Sequence, residues 1–140
     1  YDRPTNRAVA SFVGTPPMKF VEGQLDLSGA VASLRTRDGL QLPLPRLARP
    51  SLSDQQPVVL GVRSEHVQVA AAGSQASITA RVLVRELAGA DAYLLSDVGG
   101  HEITVRTPSS ERVACDDLLP LCIDGAAVSL FCPRDGTRLN

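Results

Sequence analysis

Apolar and polar residues alternate with a period of two along much of the chain, and this pattern predicts β-strands. The clearest run is Ile78 to Arg85, in which Ile78, Ala80, Val82 and Val84 alternate with their neighbours. Residues 58–63 form a run that is continuously apolar up to its last residue, Arg63, and such a run is typical of a buried strand. Similar but shorter runs predict further strands at residues 18–22, 30–35, 40–42, 92–95, 102–106 and 126–131.

Turn residues separate these runs. Asp38-Gly39 predicts a tight hairpin, Val98 to His101 and Asp124-Gly125 predict further turns, and Gly23 is expected to interrupt the first strand. Proline-rich or polar stretches predict loops at residues 43–56, 70–75 and 107–117, and residues 118–121 are placed beside the last of these loops. Seven or eight short strands joined by such turns predict a mainly β fold, either a small barrel or a sandwich.

The first residues follow a different period. Val9, Phe12 and Val13 have the i, i+3, i+4 spacing of one helical face, Thr5 is a candidate N-cap, and Gly14 suits a helix C-terminus. The Pro16-Pro17 pair cannot continue a helix because proline has no N–H to donate. We therefore expect a short helix and joint over residues 1–17, followed by a β-domain over residues 18–140.

Two ordered motifs resemble one protein family. The run Tyr1-Asp-Arg-Pro-Thr-Asn-Arg-Ala-Val-Ala-Ser-Phe-Val-Gly-Thr-Pro-Pro-Met-Lys-Phe20 resembles the segment that follows the nucleotide-binding domain in sugar-import ABC transporter ATPases of the maltose and glycerol-3-phosphate type. Leu60-Gly-Val-Arg-Ser-Glu-His66 resembles the family motif Leu-Gly-Ile-Arg-Pro-Glu-His, with Ser64 in place of proline. A weaker match, residues 133–139, resembles the closing segment of the family.

The resemblance implies a fold and a function. The fold would be the transport-associated OB-like barrel (TOBE, similar to molybdate-binding barrels), preceded by a short N-terminal helix. The chain would be the regulatory domain of an importer ATPase that forms homodimers and works with membrane subunits at the cytoplasmic face of the cell membrane. ATP and Mg would belong to a nucleotide-binding domain outside these residues. The first residue is not Met, which fits a fragment of a longer protein.

Composition narrows the chemistry. Lys19 is the only lysine of the 140 residues and lies between Met18 and Phe20, so the chain has no Gly-x-x-x-x-Gly-Lys loop to hold ATP phosphates. We expect no catalysis and no bound cofactor or metal in this chain. A net charge of −1 and the absence of tryptophan argue against nucleic acid as a partner, and no apolar run approaches the roughly 20 residues of a transmembrane helix.

Three groups of residues are candidate interface or regulatory contacts. Arg63, Glu65 and His66 form the first group, with Arg63 and Glu65 expected on one side of an extended strand, either as a structural pair or as a partner contact. The second group is the segment Pro16, Pro17 and Met18, which is either a rigid joint or an exposed contact. The third lies in the aliphatic segments 118–121 and 128–131, proposed for the apolar centre of a two-fold interface. Ordinary barrel core is the alternative for these segments, and it is favoured more for Val128 and Leu130 than for Leu118 and Leu119.

Two alternatives to a regulatory module stay open. A small-ligand or oxyanion-sensing barrel is compatible with the many arginines and glycine turns, although the sequence singles out no pocket. Many such barrels bind single-stranded nucleic acid, but this function requires aromatic side chains along a basic groove. Cys115, Cys122 and Cys132 lack Cys-x-x-Cys spacing, and we expect them to be reduced thiols.

Overall fold

The computed structural model describes residues 16–70 and 78–140. Within these residues it contains ten β-strands and one short 3₁₀ turn. The strands are β1 (Lys19–Asp26), β2 (Ser33–Arg35), β3 (Gln41–Pro43), β4 (Pro57–Val62), β5 (Val67–Val69), β6 (Ile78–Ala88), β7 (Asp91–Val98), β8 (His101–Pro108), β9 (Leu118–Ile123) and β10 (Ser129–Phe131), and the 3₁₀ turn is Ser64–His66.

The strands form two five-stranded antiparallel sheets. Sheet 1 has the order β10-β4-β1-β2-β3, and sheet 2 has the order β5-β9-β6-β7-β8. The chain passes from sheet 1 to sheet 2 through the 3₁₀ turn between β4 and β5, and it returns to sheet 1 after β9. The period-two pattern therefore predicts the fold class correctly, and the mainly β prediction is confirmed.

One hydrophobic core fills the space between the sheets. Along β7 the side chains of Ala92, Leu94, Ser96 and Val98 face this core, and the residues between them are only half-buried. Each fully buried aliphatic side chain contributes about 1.5–3 kcal/mol to folding. The largest buried side chains of this core are Leu25, Leu34, Leu42, Leu44, Leu60, Leu94, Ile103, Leu121, Ile123 and Leu130.

A second, smaller cluster lies on the other face of sheet 1. Met18, Val59 and Phe131 are buried there, and Phe20 packs against them with its ring centroid 6.2 Å from that of Phe131 in an edge-to-face arrangement. Gly61 in β4 leaves room for the Met18 and Phe131 side chains, because a Cβ atom at Gly61 would collide with both. The packing of these two side chains therefore requires glycine at position 61.

The structure corrects two predictions. β1 continues through Gly23 to Asp26, since Gly23 lies so close to β2 that a Cβ there would be 2.5 Å from the Arg35 carbonyl oxygen. Residues 118–123 form the strand β9, although the sequence analysis placed residues 118–121 beside a loop and predicted no strand there. Pro120 lies beyond the β5–β9 ladder, which pairs only residues 121–123 of β9. The predicted N-terminal helix and the loop at residues 71–75 lie outside the described residues.

Candidate functional site

Arg63 to His66 form a tight corner between the two sheets. β4 ends at Val62, Arg63 is still extended (φ −95°, ψ 156°), and the chain then turns through the 3₁₀ segment Ser64–His66 into β5. The predicted extended strand through Glu65 is therefore wrong, because Glu65 lies in a 3₁₀ turn. Arg63 and Glu65 do not share one face of a strand.

Local hydrogen bonds fix this corner. The His66 N–H donates to the Arg63 carbonyl oxygen at 3.0 Å, and the Arg63 N–H donates to His66 Nδ1 at 3.3 Å. Nδ1 must carry its lone pair to accept this bond, so the arrangement uses the tautomer protonated at Nε2. The Ser64 hydroxyl donates to Glu65 Oε2 at 3.3 Å. This pattern of bonds leaves little freedom to the backbone at the junction of the sheets.

Burial separates the three candidate residues of the corner. The exposed fractions of Arg63 and His66 are only 1% and 8%, whereas Glu65 is half-buried. Arg63 is the largest fully buried side chain among the described residues. Glu65 is consequently the side chain of this group that a partner could reach, whereas Arg63 and His66 are buried.

Asp124 connects the corner to the rest of the fold, and the sequence analysis treated it only as a turn residue. Its N–H donates to the His66 carbonyl oxygen at 2.8 Å, and its carboxylate accepts from Arg46 Nη2 at 2.8 Å. The next residue, Gly125, donates its N–H to the Pro45 carbonyl oxygen at 2.8 Å. The Asp124 turn thus joins the corner to the loop after β3, a contact that no local sequence pattern could reveal.

A broad groove lies on the outer face of sheet 1. It encloses about 1030 Å³ and is lined by β1, by the β2–β3 turn, and by His101 at the start of β8. Its charges are mixed, because Glu22 and Asp38 offset Arg35 and Arg37. Such a balance favours neither a strong anion nor a strong cation as occupant.

Asp38 anchors one wall of this groove. The Thr36 hydroxyl donates to its carboxylate, and this bond, with a smaller contribution from His101, holds the pKa of Asp38 below its usual value. His101 Nε2 lies 3.6 Å from Asp38 Oδ1 and so connects sheet 2 to the β2–β3 turn. A carboxyl group whose pKa is lowered by folding stabilises the folded state fully at pH values above its unfolded pKa. The contribution of Asp38 to stability is therefore lost as the pH falls through its folded pKa.

Two protein families match overlapping parts of the chain. The MalK OB fold domain matches residues 14–67, and the TOBE domain matches residues 60–131, just over half of the chain. The two matches overlap at residues 60–67. These residues include the corner at which the chain passes from sheet 1 to sheet 2. The chain belongs to the TOBE domain family.

Several relatives of this TOBE domain are named as ABC transporter ATP-binding proteins. It is 32% identical to the sn-glycerol-3-phosphate import ATP-binding proteins UgpC of Paraburkholderia xenovorans and Yersinia enterocolitica, over 100% of the chain but only 39% and 38% of those proteins. It is also 36% identical, over 76% of the chain, to the uncharacterized ABC transporter ATP-binding protein YcjV of Escherichia coli, of which it covers 29%. The TOBE domain therefore spans less than half the length of these relatives.

A solved structure resembles the TOBE domain in fold. The cytoplasmic molybdate-binding protein ModG, solved with molybdate bound, superposes with a TM-score of 0.64 over 81% of this chain and 95% of that chain. The sequence identity is 19%, so the likeness concerns the fold.

The other candidate contacts of the TOBE domain differ in exposure. Met18 is only 4% exposed, so its interpretation as an exposed contact is wrong, whereas Pro17 is exposed and Pro16 half-buried. Leu118 is 66% exposed on β9, and Leu119 packs partly against the main core. Of the two leucines, Leu118 is the accessible one.

Nearby core positions follow the sequence analysis. Val128 and Leu130 were expected in the core more strongly than the two leucines of β9, and both are buried.

Among the described residues, no three His, Cys, Asp or Glu side chains are grouped so that they could hold a metal ion, and no helix has the length and apolar character needed to cross a membrane. Cys115, Cys122 and Cys132 are free thiols.

We expect Arg63→Ala to lower the stability of the TOBE domain by about 2–4 kcal/mol, because the substitution empties the space of a large side chain that is 1% exposed. Thermal or urea unfolding of the 140-residue chain measures the change. Arg37→Ala, which removes the same charge from an exposed position, is the matched control and should change stability by less than about 0.5 kcal/mol. Equal effects of the two substitutions would contradict a structural role for Arg63.

Proposed function

We propose that this TOBE domain is the regulatory and dimerisation part of an ABC importer ATP-binding subunit that serves the uptake of a carbohydrate or glycerol-phosphate-type solute. The observation that carries the proposal is the pair of adjacent family matches over residues 14–131, together with relatives named import ATP-binding proteins that align over the whole chain. In such a subunit, ATP and Mg are bound and the ATP is hydrolysed outside these residues, and the TOBE domain performs no chemistry.

The corner between the sheets suits a regulatory contact. Glu65 is accessible enough to meet a partner protein, and the neighbouring His66 is hydrogen-bonded to Asp124, which holds the turn between β9 and β10. A partner that binds Glu65 therefore acts on a junction to which both sheets are attached. Pro16 and Pro17 add a stiff connection on the N-terminal side of β1, because proline fixes φ.

The place of action follows from the same proposal. An import ATP-binding subunit works with membrane subunits, so the TOBE domain is expected in the cytoplasm, held at the inner face of the membrane through those subunits rather than inserted into lipid. A second copy of the subunit is the expected partner of the domain. Nucleic acid is not an expected partner, since the net charge is −1.

A chimera tests the proposal. The segment of Yersinia enterocolitica UgpC that aligns with this chain is replaced by residues 1–140, and the chimera is assayed for ATP hydrolysis and for glycerol-3-phosphate uptake in cells that lack UgpC. We expect both activities in the chimera and neither ATP binding nor hydrolysis by the 140-residue chain alone, which lacks a phosphate-binding lysine loop.

Two controls keep the result interpretable. UgpC truncated before the exchanged segment shows what its own ATP-binding part does without any such domain, and circular dichroism shows whether the chimera is folded. A folded chimera that hydrolyses ATP but supports no more uptake than the truncated UgpC would contradict the proposal. ATP turnover by the isolated chain, abolished by a substitution within it, would contradict its non-catalytic role.

Small-oxyanion sensing is the second candidate function, and the likeness of fold to the molybdate-bound ModG structure favours it. Equilibrium dialysis of the 140-residue chain against molybdate and sulfate tests this alternative. Saturable binding of either ion at micromolar concentration would support sensing, and no binding at millimolar concentration would reject it.

A further inference from the structure

The register of sheet 1 places polar side chains side by side on the floor of the outer groove. Gln24 of β1 lies opposite Pro57 of β4 on one side and opposite Arg35 of β2 on the other. Directly opposite residues share a face of the sheet, with Cβ atoms about 4.5–5.5 Å apart. The next pair along the two strands, Leu25 and Leu34, is buried in the core. Gln24 and Arg35 therefore point outwards into the groove.

These polar side chains are available to a ligand. Gln24 and Arg35 are exposed, and so is Arg37 in the β2–β3 turn. Among the described residues, none offers a hydrogen-bond or ion-pair partner to these three side chains. An amide provides two N–H donors and a carbonyl acceptor, and a guanidinium group provides five N–H donors in a planar fork. The groove thus presents hydrogen-bonding groups that the fold itself does not use.

Apolar surface borders these polar groups. Pro57 and Pro133 are exposed, Phe20 is half-buried, and all three line the groove. The Phe20 ring also makes the edge-to-face contact with Phe131, which is completely buried. This apolar part of the groove is therefore held in place by the smaller cluster of sheet 1. A molecule with both hydroxyl groups and C–H surface could contact the two parts together.

The charges of the groove oppose a charged ligand of either sign. Arg35 and Arg37 would attract an anion, but the carboxylates of Glu22 and Asp38 line the same groove and would repel it. A cation would meet the reverse combination. A hydroxyl group both donates and accepts hydrogen bonds, so it can use guanidinium, amide and carboxylate groups alike. The lining consequently favours a neutral ligand that carries several hydroxyl groups.

We propose that this groove is a binding site for a neutral polyhydroxyl molecule, a sugar of one or two rings. Gln24 and Arg35 hydrogen-bond neighbouring hydroxyl groups of the sugar, and the C–H face of its ring packs against Phe20 and Pro57. The groove volume of about 1030 Å³ lies at the upper limit of the roughly 300–1,000 Å³ of small-molecule sites. This volume leaves room for a second ring.

The inference goes beyond the proposed function, because a regulatory domain of a transporter needs no small-molecule site of its own. The site consists of described residues of this chain, so binding is measured on the 140-residue chain alone. Weak binding is expected, since each hydroxyl group exchanges hydrogen bonds with water for hydrogen bonds with the protein at a small net gain.

Sugar titrations provide the test. Isothermal titration calorimetry and saturation-transfer NMR of the 140-residue chain use glucose, galactose, maltose and sucrose as probes. We expect at least one of these sugars to bind with a Kd of about 5 mM or tighter. Its affinity should change less than about twofold between roughly 0.05 and 0.5 M NaCl, because a neutral ligand forms no screened ion pair. Gln24→Ala and Arg35→Ala should each weaken binding at least about fivefold.

Arg35→Lys separates hydrogen bonding from charge. Lysine keeps the positive charge but lacks the planar fork of donors, so this variant should bind the sugar as weakly as Arg35→Ala does. Sulfate serves as the anion probe in the same titrations. Sulfate binding that is tighter than that of every sugar and that survives in Arg35→Lys would identify an anion site and overturn the proposal.

Matched controls and the contrary outcomes complete the design. Gln68→Ala and Arg106→Ala make the same truncations at exposed positions of sheet 2 outside the groove, and they should leave binding unchanged. Thermal unfolding verifies that each variant is folded. A Kd above about 5 mM for all four sugars, or sugar binding that neither alanine substitution in the groove weakens, would overturn the inference. The chimera test of the proposed function uses none of these variants, so each proposal can fail without the other.

Discussion

Gly125→Ala is expected to lower the stability of the domain by about 3 kcal/mol or more. A Cβ atom at Gly125 would lie 2.5 Å from the carbonyl oxygens of Leu44 and Pro45. Both atoms belong to the backbone, and the Pro45 oxygen already accepts the Gly125 N–H at 2.8 Å, so neither can move away without breaking the contact between the β9–β10 turn and the loop after β3. Thermal unfolding should show a fall of roughly 6–12 °C in Tm.

Gly29→Ala is the matched control for this substitution. A Cβ at Gly29 meets only the Val31 carbonyl oxygen at 3.7 Å, an ordinary contact, and neither Gly29 nor Gly125 has a positive φ. The control should therefore be neutral or slightly stabilising, because alanine restricts the unfolded chain. If both substitutions have the same small effect, the close approach at Gly125 is not a constraint on folding.

The fold class was predictable because apolar and polar residues alternate with a period of two along several of the strands. β6 and β7 alternate buried and accessible positions over most of their length, and the Asp38-Gly39 turn joins β2 and β3 as the dipeptide predicts, with Gly39 at φ 90°. β9 escaped prediction because Pro120 interrupts its pattern, and its place between β5 and β6 depends on partners that are distant in the sequence. Local propensity cannot supply that information.

The candidate site was predictable in identity but not in geometry. The motif from Leu60 to His66 pointed to Arg63, Glu65 and His66, which do form one corner. The sequence gives no sign that Arg63 is buried, that the corner is a 3₁₀ turn, or that Asp124 is bonded to it. Each of these properties depends on how the two sheets pack.

Gly61→Val should also be strongly destabilising, by about 2–4 kcal/mol. A Cβ at Gly61 would already be 3.0 Å from Phe131 Cε2 and would collide with the Met18 sulfur, and valine adds two further methyl groups. Phe131 is completely buried and cannot swing into solvent. Urea unfolding measures the loss. Gly29→Val, at a position with open space, accounts for the general cost of placing a β-branched residue where glycine stood.

A double substitution shows whether the Met18 side chain causes that loss. Met18→Ala alone removes a buried side chain and should cost about 2 kcal/mol or more. In the double variant Gly61→Val with Met18→Ala, the valine methyl groups can occupy space that the methionine vacates, so the combined loss should be at least about 1 kcal/mol smaller than the sum of the single losses. Strictly additive losses would mean that the valine is resisted by Phe131 and the strand backbone alone. Sub-additive losses would identify Met18 as the residue whose packing requires glycine at position 61. They would also show that the segment before β1 packs against β4 of sheet 1.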